Sequence, residues 1–280
     1  MLSTGDPGPR PSPEVSVVVV GYKARHLVLR CLGTLAKHAG MSYEAIVVDD
    51  GSGDGTPEAV SAVFPEARVV AKTRNEGLAA GRNAALPLIR GRLVLMLDSD
   101  TRIRPGALAA MADVLDKNPG VGLVGPKLTY PDGRTQLSCR RWQPLVTPFL
   151  VRGPYARFNP SPRMHQRQMM EDFDHATERP VVWVMGAAQM WRADLPPLIG
   201  RFDERISSYG GEDWDWCARV WEAGLEVRYA PQAEIVHDWQ KVVRHSPWGW
   251  HSLRALRDFY GVQWKHRSLR RDARLTQASA

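Results

Sequence analysis

The chain has 280 residues, of which 44% are hydrophobic and 24% charged, with a net charge of +7. That length admits one large domain or two small ones, and the apolar fraction is that of an ordinary globular protein. No apolar run approaches the length of a membrane span, and the three cysteines (Cys31, Cys139, Cys217) form no CxxC pair, which argues against a zinc site or a disulfide framework. They read as small buried residues in a reducing cytosol.

Residues 1–13, rich in Pro and Gly, lack the apolar core of a signal peptide and read as a disordered lead-in. Val15–Val20 is a β-branched run suited to a strand buried on both faces. Leu27, Val28, Cys31, Leu32 and Leu35 then recur at helical spacing. Ala45–Val48 reads as a strand ending at Asp49-Asp50, and the turn-rich GSGDGT leads to a helix with Thr56 as cap and Pro57 at its first position. Arg68–Ala71 predicts a strand, Leu78–Ile89 a helix, Leu93–Leu97 a strand and Pro105–Leu115 a helix. This alternation, through about residue 118, predicts an α/β fold with a mostly parallel sheet flanked by helices, whose ligands sit beyond the carboxyl ends of the strands. Tyr22, Asp49-Asp50 and Asp98–Asp100 fall at those ends.

The second half changes character. Pro119–Ser138 predicts two strands about the turn Pro131–Gly133, and Trp142–Pro180 lacks clear periodicity. Val181–Met185, Glu226–Tyr229 and Ala233–Val236 read as strands, and Glu212–Ala223 as a helix. From about Gly249, Trp250, Leu253, Leu256, Tyr260 and Trp264 recur near helical spacing. Between Lys241 and Arg274 stand nine basic and two acidic side chains, so this tail carries the whole charge excess. Such a tail suits an anionic partner (nucleic acid, lipid headgroup or phosphorylated acceptor), or else is a solvated basic helix without one.

Two acidic groups carry the chemistry. Arg92–Asp100 reads RLVLMLDSD, a strand ending in two carboxylates, an arrangement that with a substrate phosphate suits Mg²⁺ or Mn²⁺. A lone DxD is weak, because aspartates also suit turns; here it closes a strand of an alternating pattern. In Gly210–Asp215, GGEDWD, the acids either oppose a helix dipole or supply a proton acceptor. Asp50 is a turn acid or the acceptor of a pyrimidine N3–H, Arg82 a helix residue or a phosphate contact, and His237 a structural histidine or a metal ligand. No GxGxxG follows the first strand and no GxxxxGK[ST] occurs, which disfavours dinucleotide and P-loop binding.

Over residues 14–240 the chain resembles the inverting family 2 glycosyltransferases of GT-A fold, and within them the bacterial rhamnosyltransferase-like enzymes of cell-envelope synthesis. The resemblance rests on VSVVVVGY, IVVDDGSGDGT, NEGLAAGRN, LDSD with TRIRPGAL, GLVGPKLTYPDGRTQLSCRR, VWVMGAAQMWR, GRFDERISSYGGEDWDWCARVWEAG and APQAEIVH. It implies a nucleotide-sugar half over 14–118, an acceptor and catalytic half over 119–240, and an appended helical tail over 241–280. It implies Asp213 as general base, Tyr22, Asp50 and Arg82 at the nucleotide, Asp98, Ser99 and Asp100 at the metal–diphosphate, His237 as third metal ligand, and Gly186-Ala187 beside the donor sugar. The co-substrate is then a dTDP- or UDP-linked sugar, the acceptor a glycan, a lipid-linked or a small molecule, and the enzyme cytoplasmic or peripheral on the inner membrane face. The chain departs from the subgroup in Gly21-Tyr22-Lys23, in Asp98-Ser99-Asp100 and in Asp238-Trp239-Gln240, which leaves the donor sugar open. The rival expectations are a nucleotide-sugar-binding scaffold without turnover, and a nucleotidyltransferase.

Overall fold

The computed structural model describes residues 12–148, 163–207, 211–238 and 250–278. Residues 1–11 of the expected lead-in, 149–162 of the aperiodic stretch, Gly210 and Trp248 lie outside the described residues. Strand β1 (Val15–Gly21) is buried along its whole length and lies between β2 (Tyr43–Asp49) and β4 (Leu93–Asp98), parallel to both. Strand β3 (Arg68–Ala71) extends this parallel half beside β2. Helix α1 (Arg25–His38) buries Val28, Cys31, Leu32 and Leu35, the residues at helical spacing. Helix α2 (Thr56–Val63) begins at Thr56 itself: Gly55 holds the cap position, and the Asp54 carboxylate before it accepts from the Thr56 N–H and hydroxyl at 3.0 and 2.6 Å. Helices α3 (Leu78–Ala85) and α4 (Ala107–Lys117) complete this half.

Beyond β4 the sheet is mixed, with order β3-β2-β1-β4-β11-β6-β12-β5. Strand β11 (Ala188–Arg192) runs antiparallel to both β4 and β6 (Val121–Thr129), and short β5 (Thr101–Ile103) pairs antiparallel with β12 (Glu226–His237). Neither β11 nor β5 was expected. Two expected strands merge into β12, which absorbs Pro231-Gln232 as an irregularity between Ala230 and Glu234. Because β11 reverses direction twice over, β6 again runs with β4, and β12 runs parallel to β6. The carboxyl ends of β1, β2, β4 and β12 therefore share one edge, which brings His237 to Asp98.

The remaining pieces are β7 (Thr135–Gln136) on β6, the small ribbon β8 (Cys139–Arg140) with β10 (Trp183–Val184), α5 (Arg163–Gln168), β9 (Arg179–Pro180), α6 (Leu195–Ile199) and α7 (Gly211–Glu222). All three cysteines are free and buried. The tail helix α8 (Trp250–Lys265), a 3₁₀ turn (Arg267–Arg271) and α9 (Ala273–Ala278) pack on the domain through Val262, Leu269, Leu275 and Ala278. Their polar anchor is Asp215 on α7, fully buried, which takes Arg219 at 2.6 Å, Lys265 at 2.6 Å and His266 at 2.9 Å. Burial alone would raise that carboxyl; His266, Arg219 and Lys265 outweigh it and hold it down at about 2. The expected stripe faces outward where its side chains are described: Leu253 is 61%, Tyr260 37% and Trp264 71% exposed, with Leu256 half-buried. No helix among the described residues is long and apolar enough to cross a membrane.

Candidate active site

The shared edge collects most of the expected residues. Asp98 ends β4, and Asp100 lies in the turn to β5. His237 ends β12, paired in register with Thr101. One oxygen from each carboxylate and one ring nitrogen of His237 lie within 4.8 Å of one another, and His237 Nε2 is 3.3 Å from Asp100. His237 Nδ1 donates to Gln136 Oε1 at 2.7 Å, because an amide oxygen only accepts. That bond fixes the ring and leaves Nε2 to face the carboxylates, the arrangement usual behind a metal-bound histidine. The next residue locks the corner: the Asp238 N–H donates to the Asp100 carbonyl at 2.9 Å, while its carboxylate takes Arg102 and Arg30. Two hard oxygens and a neutral imidazole fit Mg²⁺ or Mn²⁺ completed by phosphate and water. Burial raises the Asp98 carboxyl above its usual range, with Arg82 and His237 opposing; 31% of its side chain stays exposed.

Arg82, on α3, is buried between two carboxylates. It donates to Asp213 at 2.8 Å and to the Gly186 carbonyl at 3.1 Å, and stands 3.5 Å from Asp98. The Gly186 N–H donates to the other oxygen of Asp213 at 2.8 Å, so both oxygens of this residue in the first turn of α7 are oriented by protein. A Cβ on Gly186 would lie 1.8 Å from Asp213, so only glycine permits the approach. The Ala187 carbonyl accepts from the Asp98 N–H at 3.0 Å, tying the β10–β11 turn to the end of β4. Glu212, beside Asp213, is raised well above a normal carboxyl by burial and by Asp213 itself. Asp215 points away into its cluster with the tail.

Two of the residues expected at the nucleotide, Tyr22 and Asp50, lie at the ends of β1 and β2. Asp50 is 2% exposed and takes Lys72 at 2.6 Å, the Gly77 N–H at 2.8 Å and the Glu76 N–H at 3.2 Å, so it braces the loop leading into α3. Tyr22 is 45% exposed, and Lys23, at φ +51°, donates its N–H to Ser52 Oγ at 2.7 Å and lays its ammonium 5.4 Å from the Tyr22 ring. Ser99 is half-buried between Asp98 and Asp100. Sequence reasoning missed Gln136 and Lys72. Both lie beside residues it named, but no motif carries a neutral amide 101 positions from its histidine.

Comparison with known proteins gives the family and the fold. The model of the family "Glycosyl transferase family 2" matches residues 16–176. An N-acetylglucosaminyl-diphospho-decaprenol L-rhamnosyltransferase of Mycobacterium tuberculosis is 28% identical over 235 residues, 79% of this chain and 75% of the relative. Among solved structures, GalNAc-T7 with UDP, GalNAc and Mn²⁺ superposes with a TM-score of 0.62 at 15% identity, over 91% of this chain and 48% of the other. The mannosyltransferase PcManGT of Pyrobaculum calidifontis, in complex with GDP-Man and Mn²⁺, gives 0.56 at 18% identity over 95% and 74%. Those two likenesses give the fold, GT-A, and the family match over more than half of the sequence gives the enzyme class: the chain belongs to glycosyl transferase family 2 and transfers sugar.

Proposed function

We propose that the chain is an inverting, divalent-metal-dependent transferase that moves a sugar, rhamnose being the leading candidate, from a dTDP- or UDP-linked donor to an acceptor hydroxyl. The observation that supports this most is the Asp98–Asp100–His237 cluster, with Asp213 held on the far side of Arg82. Asp213 takes the proton of the acceptor hydroxyl as that oxygen attacks the anomeric carbon, and the nucleoside diphosphate leaves from the opposite face. A single displacement inverts that carbon. Asp98, Asp100 and His237 would hold the Mg²⁺ or Mn²⁺, which neutralises charge on the departing diphosphate. Arg82 adds a fixed cation at the same place. Tyr22 and Asp50 border the base, Asp50 by bracing the loop that leads into α3, and Gly186-Ala187 flank the donor sugar.

The test is release of nucleoside diphosphate that requires acceptor. Release of pyrophosphate would indicate a nucleotidyltransferase, and nucleotide-sugar binding without turnover a scaffold. Activity should vanish in excess chelator and return with Mn²⁺ or Mg²⁺; full activity in chelator would remove the metal from the proposal.

A peripheral membrane location is part of the proposal. Leu253, Tyr260 and Trp264 are exposed along one side of α8 with Arg254, Arg257 and Arg267 around them, while the helix's other side is buried on the domain. Basic residues near an anionic bilayer contribute about 1 kcal/mol each, and tryptophan favours the interface. Sedimentation with vesicles should show binding to anionic lipid that weakens in high salt, and little to zwitterionic lipid. Equal binding to both, or to neither, counts against a membrane role.

A further inference from the structure

The segment that runs from Gln136 on β7 to Arg140 on β8 carries donors for which the protein supplies no matching acceptor. Gln136 uses its oxygen on His237, while its Nε2 is buried and without a partner. Two residues on, the Ser138 hydroxyl is buried with nothing beside it but the weak thiol of Cys139. Two further on, Arg140 is only 8% exposed. Its Nη1 donates to the carbonyls of Leu137 and Cys139 at 2.5 and 2.7 Å, but its Nη2 meets only the thioether of Met185 at 3.5 Å. No carboxylate forms an ion pair with it among the described residues. The other buried arginine at the site, Arg82, is answered by Asp213. Burial brings the Arg140 guanidinium down to about 10, the mark of a cation held in the protein without a counter-charge. Such a charge is costly to keep unless something outside the fold uses it.

Its position says which substrate would use it. Arg140 pairs across the ribbon with Trp183 and lies 5.8 Å from that ring. Trp183 stacks on Trp214, the neighbour of Asp213. Met185 immediately precedes Gly186, whose N–H orients Asp213. Arg140 is thus joined through Trp183 and Trp214, and through Met185 and Gly186, to the residues that flank Asp213, the base proposed to meet the acceptor hydroxyl. A thioether is a weak acceptor on a flexible side chain, so it yields readily to a stronger one. The bidentate fork of a guanidinium matches a phosphate.

We propose that the segment Gln136–Arg140 binds the acceptor through a phosphate group that the acceptor carries. Arg140 displaces Met185 to pair with that phosphate, and Gln136 Nε2 donates to the acceptor between it and the Asp98–Asp100–His237 cluster. The proposal rests on the sugar-transfer reading above but is tested without donor, metal or turnover, so the two fail separately.

The experiment follows thermal unfolding of the full chain in excess chelator, with and without inorganic pyrophosphate, for wild type, Arg140→Met and Arg140→Lys. Wild type should gain unfolding temperature with pyrophosphate. Arg140→Met should fold with an unfolding temperature at or above wild type, because a buried unpaired charge has been removed, and should lose most of the pyrophosphate gain. Arg140→Lys should keep part of it. An undiminished gain in Arg140→Met, or a fall of several degrees in its own unfolding temperature, would overturn the proposal, the latter by making the two carbonyl bonds the reason for the residue. Farnesyl diphosphate distinguishes the sources: a larger Arg140-dependent gain than with pyrophosphate marks a lipid-linked acceptor, and an equal gain a soluble phosphate.

Discussion

Asp213→Asn should reduce turnover by about 10²–10⁴-fold while donor binding stays nearly unchanged, the usual size of a general-base contribution. The substitution keeps the side chain's shape and removes its capacity to take a proton. It also creates a local conflict. Arg82 and the Gly186 N–H both donate to Asp213, at 2.8 Å each, and an amide has one oxygen to offer the two of them. Metal-dependent thermal protection by nucleotide sugar, measured beside single-turnover rates, separates this conflict from the loss of the base. Asp98, Asp100 and His237 do not touch the substituted atom's new donor, so protection should persist. A variant within a few-fold of wild type would move the role to Glu212, whose carboxyl is buried next door and raised. It would not move it to Asp215. That carboxylate is fully buried, already takes Arg219, Lys265 and His266, and is two residues further along α7. Two residues turn a helix by about 200°, so Asp213 and Asp215 occupy nearly opposite sides.

That rotation shows what was readable in the sequence and what was not. The parallel half was legible because its strands are buried on both faces and its helices on one, and both patterns survive in the residue order. Val15–Val20 and the 28, 31, 32, 35 spacing are examples. β11 was not legible. Ala188–Arg192 has no distinctive alternation, and its central place comes from pairing with β4 and β6, partners 66–99 residues away in the chain. β12 was divided at Pro231 because proline removes a ladder hydrogen bond; here the strand carries it in an irregularity between Ala230 and Glu234. At the site, carboxylates and histidine announced themselves by residue type, and the fold then brought Asp98, Asp100 and His237 together. Their supports did not announce themselves. Gln136 is one amide among several, and nothing in NEGLAAGRN reveals that Arg82 also meets a carboxylate 131 positions later. The tail's outward stripe was visible as a period, but a period does not say which side meets the domain. His266 and Lys265 on Asp215 decide that.

Gly186→Ala should cost nearly as much activity as loss of the base, about 10²–10³-fold in turnover, without changing a single ionisable group. The added Cβ would fall 1.8 Å from Asp213 Oδ1 and 2.3 Å from its Cγ. No adjustment of a few tenths of an ångström resolves that overlap, so Asp213 must leave the Gly186 N–H and with it the present Arg82 geometry. Crowding of this kind costs about 1–3 kcal/mol of stability, small enough for the fold to survive. Asp98, Asp100 and His237 are not substituted, so metal-dependent donor protection should persist, weakened only by what the Gly186-Ala187 turn contributes to the donor sugar and to the Asp98 N–H. Gly120→Ala is the control, since an added Cβ there meets nothing within 4 Å. Both variants go through the same turnover and denaturation measurements. If Gly186→Ala turns over within a few-fold of wild type, the observed placement of Asp213 is not what the reaction requires, and the base assignment fails with it. The double variant sharpens the inference. Gly186→Ala and Asp213→Asn remove the same function by different means, one displacing the carboxylate and the other neutralising it. Their combined loss should therefore be close to the larger single loss, whereas independent contributions would multiply.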